Sequence, residues 1–134
     1  EDQSDAAFEE LVGKAERLVQ ELGLHYRLSK LAAGDCSFSM ARTYDIEVWI
    51  PSMGIYKEVS SASNARDYQA RRGNVKYRGA DKKLHLAHTL NASGLATSRV
   101  IPAIVEQYQN DDGSVTVPEV LRPYLGIDRI EKQR

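Results

Sequence analysis

Four stretches of the sequence place polar and charged residues where a plain fold does not need them. The first is Tyr56-Lys57-Glu58-Val59-Ser60-Ser61-Ala62-Ser63-Asn64. On an extended strand Glu58 and Ser60 share a face, and Ser61 falls on the opposite one unless the strand bends. A carboxylate beside hydroxyls is a hard-oxygen donor set, suited to Mg²⁺ carrying nucleotide phosphates. A solvated strand face with Ser-rich turn chemistry would use the same residues. The second stretch, Asp67-Tyr68-Gln69-Ala70-Arg71-Arg72, ends in paired arginines that suit phosphate or carboxylate recognition or form ordinary basic surface. In the third, Asn91-Ala92-Ser93-Gly94-Leu95-Ala96-Thr97-Ser98-Arg99, small polar residues open an apolar helical pattern. A helix start followed by Arg99 makes an anion site, whereas Asn91 or Ser93 as a cap would only satisfy orphan backbone N–H groups. The fourth is His85 with His88, which point to opposite faces if one strand carries both; no Cys or carboxylate cluster completes a zinc set around them. Cys36 has no motif context and reads as a bystander thiol. The sequence has no Gly-rich phosphate loop, no G-x-S-x-G elbow and no H-E-x-x-H.

These residues need elements to hold them. Phe8, Leu11, Val12, Ala15, Leu18, Val19 and Leu22 recur at three- and four-residue spacing and predict a helix. Ser4 is its expected N-cap, and Gly23 the left-handed residue at its end. Tyr26–Ala32 alternates loosely as a strand. Thr43–Ile50 alternates clearly, with Tyr44, Ile46, Val48 and Ile50 on one face and Asp45, Glu47 and Trp49 on the other. Pro51-Ser52-Met53-Gly54 is a turn, so Ile55–Ser61 returns as a hairpin partner. Residues 66–72 suit a short helix or a loop. Val75–Arg78 and Leu84–Leu90 read as further strands around a charged turn. Leu95, Ala96, Ile101, Ile104, Val105 and Tyr108 have helical spacing, with Pro102 expected near the first turns or at a kink. Val115–Val117 is a short extended piece before a Pro-punctuated tail. The expected fold class is α+β, an antiparallel sheet with helices against one face.

Bulk properties narrow the partners. The 134 residues, 42% of them hydrophobic, suffice for one modest core. Lys and Arg number 18 against 19 Asp and Glu, a net charge of -1, so bulk charge does not mark the chain as a free-standing nucleic-acid binder. No apolar run approaches the roughly 20 residues of a membrane helix, and a single cysteine fits a reducing compartment. The chain opens Glu1-Asp2-Gln3 without an initiator Met, which suggests a piece of something longer.

At the same stretches the sequence resembles bacterial-type seryl-tRNA synthetases. The likeness begins at Arg42-Thr43-Tyr44-Asp45-Ile46-Glu47-Val48-Trp49-Ile50-Pro51 and runs through the Tyr56–Asn64 and Asp67–Arg72 stretches. It continues in His88-Thr89-Leu90-Asn91-Ala92-Ser93-Gly94-Leu95-Ala96 with Arg99, and closes on Val117-Pro118-Glu119-Val120-Leu121-Arg122-Pro123-Tyr124. Ala92 stands where the family more usually has Gly. The resemblance implies that residues 1–134 are the C-terminal half of a class II catalytic domain, including its third motif. The first and second motifs and the coiled-coil tRNA-binding arm have no counterpart here.

The resemblance also implies roles. Glu58, Val59, Ser60 and Ser61 would form part of the ATP site, with Glu58 and Ser61 holding Mg²⁺. Arg99 would clamp the ATP phosphates as the catalytic arginine. Ser93 would meet the substrate serine hydroxyl, with Asn91 supporting that pocket. The implied reaction is ATP-dependent activation of L-serine to seryl-adenylate and transfer to tRNA(Ser), in a cytoplasmic homodimer with no membrane association. An isolated half is expected to be inactive. The alternative is a non-catalytic stand-alone relative that binds nucleotide or a partner chain, which a start codon just before Glu1 would favour.

Overall fold

The computed structural model describes residues 3–132. The chain opens with α1 (Ser4–Glu21), which buries Phe8, Val12, Ala15 and Val19 and leaves Leu18 at the margin of the stripe exposed. Each large side chain so buried contributes roughly 1.5–3 kcal/mol. Ser4 is not the cap: Gln3 occupies the cap position without a side-chain bond, and the Ser4 hydroxyl instead meets His88 Nδ1 at 2.7 Å. Gly23 does end the helix, in the left-handed region at φ 66°. There it also makes room for Tyr108, whose hydroxyl donates to the Leu22 carbonyl at 2.8 Å.

The strands that follow are β1 (Tyr26–Lys30), β2 (Arg42–Ile50) and β3 (Ile55–Arg66). A 3₁₀ turn, Pro51–Met53, joins β2 to β3 and closes on Gly54 at φ 63°. After a short helix, α2 (Tyr68–Gly73), come β4 (Lys76–Arg78), β5 (Leu84–Leu86) and β6 (Thr89–Ala92). The main sheet is antiparallel, ordered β1-β2-β3-β6, and β4 with β5 forms a separate ribbon. The α+β expectation therefore holds, and β2 alternates as its sequence predicts, with Ile46, Val48 and Ile50 buried.

Two boundaries differ from expectation. β3 runs to Arg66 rather than stopping at Ser61, because Ala62, Ser63 and Asn64 find partners on both sides, in β2 and in β6. Small residues there let α1 approach, and Phe8 and Val12 pack on Ala62. Residues 84–90 are not one strand: the ribbon ends where the Ala87 N–H bonds Val75, and the chain enters the main sheet at Thr89. His85 and His88 thus belong to different places.

Helix α3 (Thr97–Gln107) buries Val100 and Ala103. It begins two residues later than the apolar pattern suggests, and Pro102 lies within its second turn. Helices α1 and α3 cover the same face of the sheet, where Val19, Ile46, Val48, Val59, Val100 and Ala103 form the core. The opposite face carries Glu58 and Ser61, which are part-exposed, and Thr43 and Ser63, which are buried. The tail adds β7 (Val115–Thr116), a 3₁₀ turn at Glu119–Leu121, α4 (Arg122–Leu125) and β8 (Arg129–Ile130), with β7 and β8 paired. Among the described residues no helix is long and apolar enough to cross a membrane.

Candidate active site

The open face is organised by one irregularity in β3. Glu47 pairs with Glu58 but its neighbour Ile46 pairs with Ser60, so Val59 is an extra residue opposite the ladder. Such a bulge shifts the phase of every residue beyond it. Val59 and Ser60 both turn inward and are 1% exposed. Glu58 and Ser61, three apart in sequence, then lie on the same face, opposite Glu47 and Asp45.

The register carries the same face across to β6. Asn91 pairs with Ser63, and the Ser93 N–H bonds the Ser61 carbonyl at 3.1 Å. Asn91 and Ser93 are both exposed. Neither is a helix cap: α3 starts at Thr97, and its cap residue Ala96 has no capping side chain. What holds the Ser93–Ala96 turn is the bulged part of β3. Ser60 Oγ donates to the Ser93 carbonyl at 2.7 Å, and the Ala96 N–H reaches the Val59 carbonyl at 2.7 Å. Ser60 therefore acts as a strut beneath the loop, and the Val59 and Ser60 side chains face away from the Glu58–Ser61 surface. Any contact they make with a ligand there would be through their backbone.

Arg99, on the first turn of α3, reaches back to the same strand. Its Nη1 donates to the Glu58 carbonyl at 2.8 Å and lies 3.5 Å from Glu58 Oε2. Both side chains stay about half exposed, at 51% and 44%. Paired this openly, the arginine is preorganised yet still able to turn donors toward an anion. Beside the pair runs a cleft of about 440 Å³ between the β2–β3 turn and α3, with Lys57, Ser98 and Glu106 along it. Glu106 is fixed there by accepting from Ser52 N and Ser52 Oγ, each at 2.8 Å.

Asp45 is a residue for which the sequence suggested a face but no task. It sits opposite Ser61, and its Oδ1 is buried without a hydrogen-bond partner. Further along, Glu47 is paired with Arg27, whose guanidinium lies 4.4 Å from the Tyr56 ring centroid. His25, Trp49 and Tyr56 form an aromatic cluster at that end, with Tyr56 Oη and His25 Nε2 2.8 Å apart.

The other two sequence stretches make contacts of their own: Gln69 of α2 accepts from Thr89 Oγ1 on β6 at 2.7 Å. Arg71 bonds Asp67, which holds the Asp67 carboxyl below its ordinary value, and Arg72 stacks 3.5 Å over the Tyr68 ring. His85 bonds Asp81 at 3.0 Å on the ribbon. Among the described residues no group of three His, Cys, Asp or Glu is arranged to hold a metal ion by itself.

Residues 1–108 match the model of the tRNA synthetase class II core domain (G, H, P, S and T). The chain is 72% identical over 128 residues to serine–tRNA ligase 2 of Clostridium acetobutylicum, covering 95% of this chain and 30% of that protein. It is 56% identical over 130 residues to serine–tRNA ligase of Thermosipho melanesiensis, covering 97% of this chain and 31% of that one. Among solved structures, seryl-tRNA synthetase of Pyrococcus horikoshii complexed with ATP superposes with a TM-score of 0.93 at 42% identity, across 99% of this chain and 30% of its own. Cytoplasmic serine–tRNA ligase of Naegleria fowleri in complex with AMP gives 0.89 at 38%, across 100% and 32%. The chain thus spans about 30% of the length of the relatives it matches.

Proposed function

The chain belongs to the class II tRNA synthetase core-domain family, and from that premise we propose that its open sheet face serves a serine–tRNA ligase, binding ATP and L-serine for activation of the amino acid. The observation that carries this reading is the bulge at Val59, which brings Glu58 and Ser61 onto the face that also presents Asn91 and Ser93, with Arg99 docked on Glu58. The similarity to serine–tRNA ligases supports the choice of serine.

In the proposed reaction a serine carboxylate oxygen attacks the α-phosphorus of ATP, and the bond from that phosphorus to pyrophosphate breaks. The product is seryl-adenylate, from which serine passes to tRNA(Ser). Arg99 swings its free donors onto the phosphates and balances the charge that moves toward the leaving pyrophosphate. Glu58 and Ser61 present the oxygen donors that fit Mg²⁺, an ion content with one or two protein carboxylates when phosphates supply the rest. Mg²⁺ supplies charge neutralisation on those phosphates when bound. Ser93 bonds the substrate hydroxyl, and Asn91 orients the pocket. No protein nucleophile takes part; positioning and electrostatics lower the barrier. The working unit is a cytoplasmic homodimer.

Serine-dependent exchange of labelled pyrophosphate into ATP, measured on the protein at native length, tests the roles. Glu58→Gln removes a charged ligand and lowers exchange by about 10²-fold or more. Ser93→Ala weakens serine activation by roughly 1–3 kcal/mol and disturbs ATP binding much less. Unchanged exchange in Glu58→Gln at saturating Mg²⁺ would mean that Glu58 is only a solvated strand residue.

A further inference from the structure

The net charge of -1 hides an uneven distribution. Residues 71–85 hold six Lys and Arg against one carboxylate, Asp81, for a local net of +5, so the rest of the chain sums to -6. Two of the six are engaged on α2, Arg71 with Asp67 and Arg72 with the Tyr68 ring. The other four, Lys76, Arg78, Lys82 and Lys83, lie on the β4–β5 ribbon and its turn, and all are exposed. Among the described residues no carboxylate is within salt-bridge distance of any of them, because Asp81 is taken by His85 and by the Lys83 N–H. The ribbon shares no ladder with the main sheet.

Its shape is nonetheless well defined. Tyr77 pairs with His85, their rings 5.7 Å apart, on one face. Lys76 and Arg78 occupy the other face beside Leu86 and Leu84. The turn is held by Gly79 N–H to the Lys83 carbonyl and by Arg78 Nη1 to the Lys82 carbonyl, at 2.9 and 2.8 Å. Lys76 and Arg78 are two residues apart in an extended strand, about 6.6 Å, a separation comparable to that of adjacent backbone phosphates. Unpaired cations on a projecting ribbon, next to a part-exposed tyrosine ring, combine the two elements by which proteins hold nucleic acid, phosphate neutralisation and base stacking.

We propose that the β4–β5 ribbon is an RNA-contacting arm that grips the phosphate backbone of a structured RNA through Lys76, Arg78, Lys82 and Lys83, with Tyr77 beside an unstacked base. That this RNA is the tRNA of the proposed ligation rests on the functional reading above; the ribbon's grip on RNA does not.

The test is fluorescence anisotropy of the 134-residue chain with a labelled tRNA(Ser) transcript across a salt series. The variant Lys76→Ala/Lys82→Ala/Lys83→Ala is compared with a charge-matched control, Lys14→Ala/Arg17→Ala/Lys30→Ala, after circular dichroism shows equal folding. The ribbon variant binds about tenfold or more weakly at low salt, and the slope of log affinity against log salt falls by roughly 2–3. The control stays within about twofold. Equal losses in both variants, no binding by the unaltered chain, or ribbon-dependent binding to phosphatidylserine vesicles without binding to RNA would each overturn the proposal. Serine-dependent pyrophosphate exchange, measured on the protein at native length, is untouched by the same three ribbon substitutions. Its absence in the unaltered protein would therefore defeat the ligase reading and leave the RNA arm standing.

Discussion

Replacing Ser60 with alanine separates two roles that the same hydroxyl could have. Ser60 is 1% exposed and donates to the Ser93 carbonyl at 2.7 Å, so the Ala variant removes a part-buried hydrogen bond that ties the exposed Ser93 to the sheet. Losing such a bond costs about 0.5–1.5 kcal/mol, which for a domain of this size lowers the melting temperature by about 2–5 °C. The urea midpoint should fall with an unchanged m-value, since the folded surface is the same. The loss also has a direction. Ser93 is tied to β3 by its N–H to Ser61 and its carbonyl to Ser60. Cutting one tie loosens the proposed serine pocket before it disturbs Glu58 or Arg99. Pyrophosphate exchange in Ser60→Ala should show the KM for serine rising several-fold more than the KM for ATP. An unchanged melting temperature with a raised KM for ATP would refute the strut and return the hydroxyl to the nucleotide.

Gly23→Ala places a methyl group 2.4 Å from Tyr108 Oη at φ 66°, and costs about 2–3 kcal/mol in thermal or urea unfolding from left-handed strain plus the lost Tyr108 bond. Gly54→Ala has similar strain at φ 63° but nothing within 4 Å, and costs only about 1–2 kcal/mol; equal costs at both positions would deny the Tyr108 contact. The Asp112 carboxyl is held below its ordinary value of 3.8, first by the Ser114 hydroxyl and N–H and then by Arg129. Its folded value being the lower one, it contributes stability above 3.8 that is lost as pH falls through the folded value. The stability difference between the protein and Asp112→Asn is therefore constant near neutrality and shrinks in acid, and a carboxyl titration by NMR midway at or above 3.8 would contradict this.

Much of this architecture is legible in the residues, and the misses have physical causes. β2 can be read because Ile46, Val48 and Ile50, all buried, alternate with Asp45, Glu47 and Trp49, which are not. The bulge one strand over could not, because the inward position after Val59 is filled by serine, whose polarity hides the change of phase. The break between ribbon and main sheet was masked because Leu84, Leu86 and Leu90 keep an even spacing straight through it. At α3, Leu95 and Ala96 continue the helical period backward into a turn that hydrogen bonds from β3 hold, and Ala96 carries no capping side chain to mark the start. The stretches of the proposed site stand out in the sequence because a carboxylate, hydroxyls and an arginine at those places have no evident duty in a core. Asp45 does not stand out in the sequence, where it is one more outward residue of an alternating strand, and only the register puts it across from Ser61.

The central claim is that this open sheet face activates serine with ATP, and the family's matched model spans enzymes for glycine, histidine, proline, serine and threonine. The most direct measurement is therefore ATP–pyrophosphate exchange by the protein at native length, with each of those five amino acids supplied singly. The account predicts exchange with serine and at least about tenfold less with threonine, which adds one methyl group beside the hydroxyl that Ser93 meets, and none above background with the other three. Exchange that prefers another of the five, or that is absent with serine while the protein is folded and binds ATP, would contradict it.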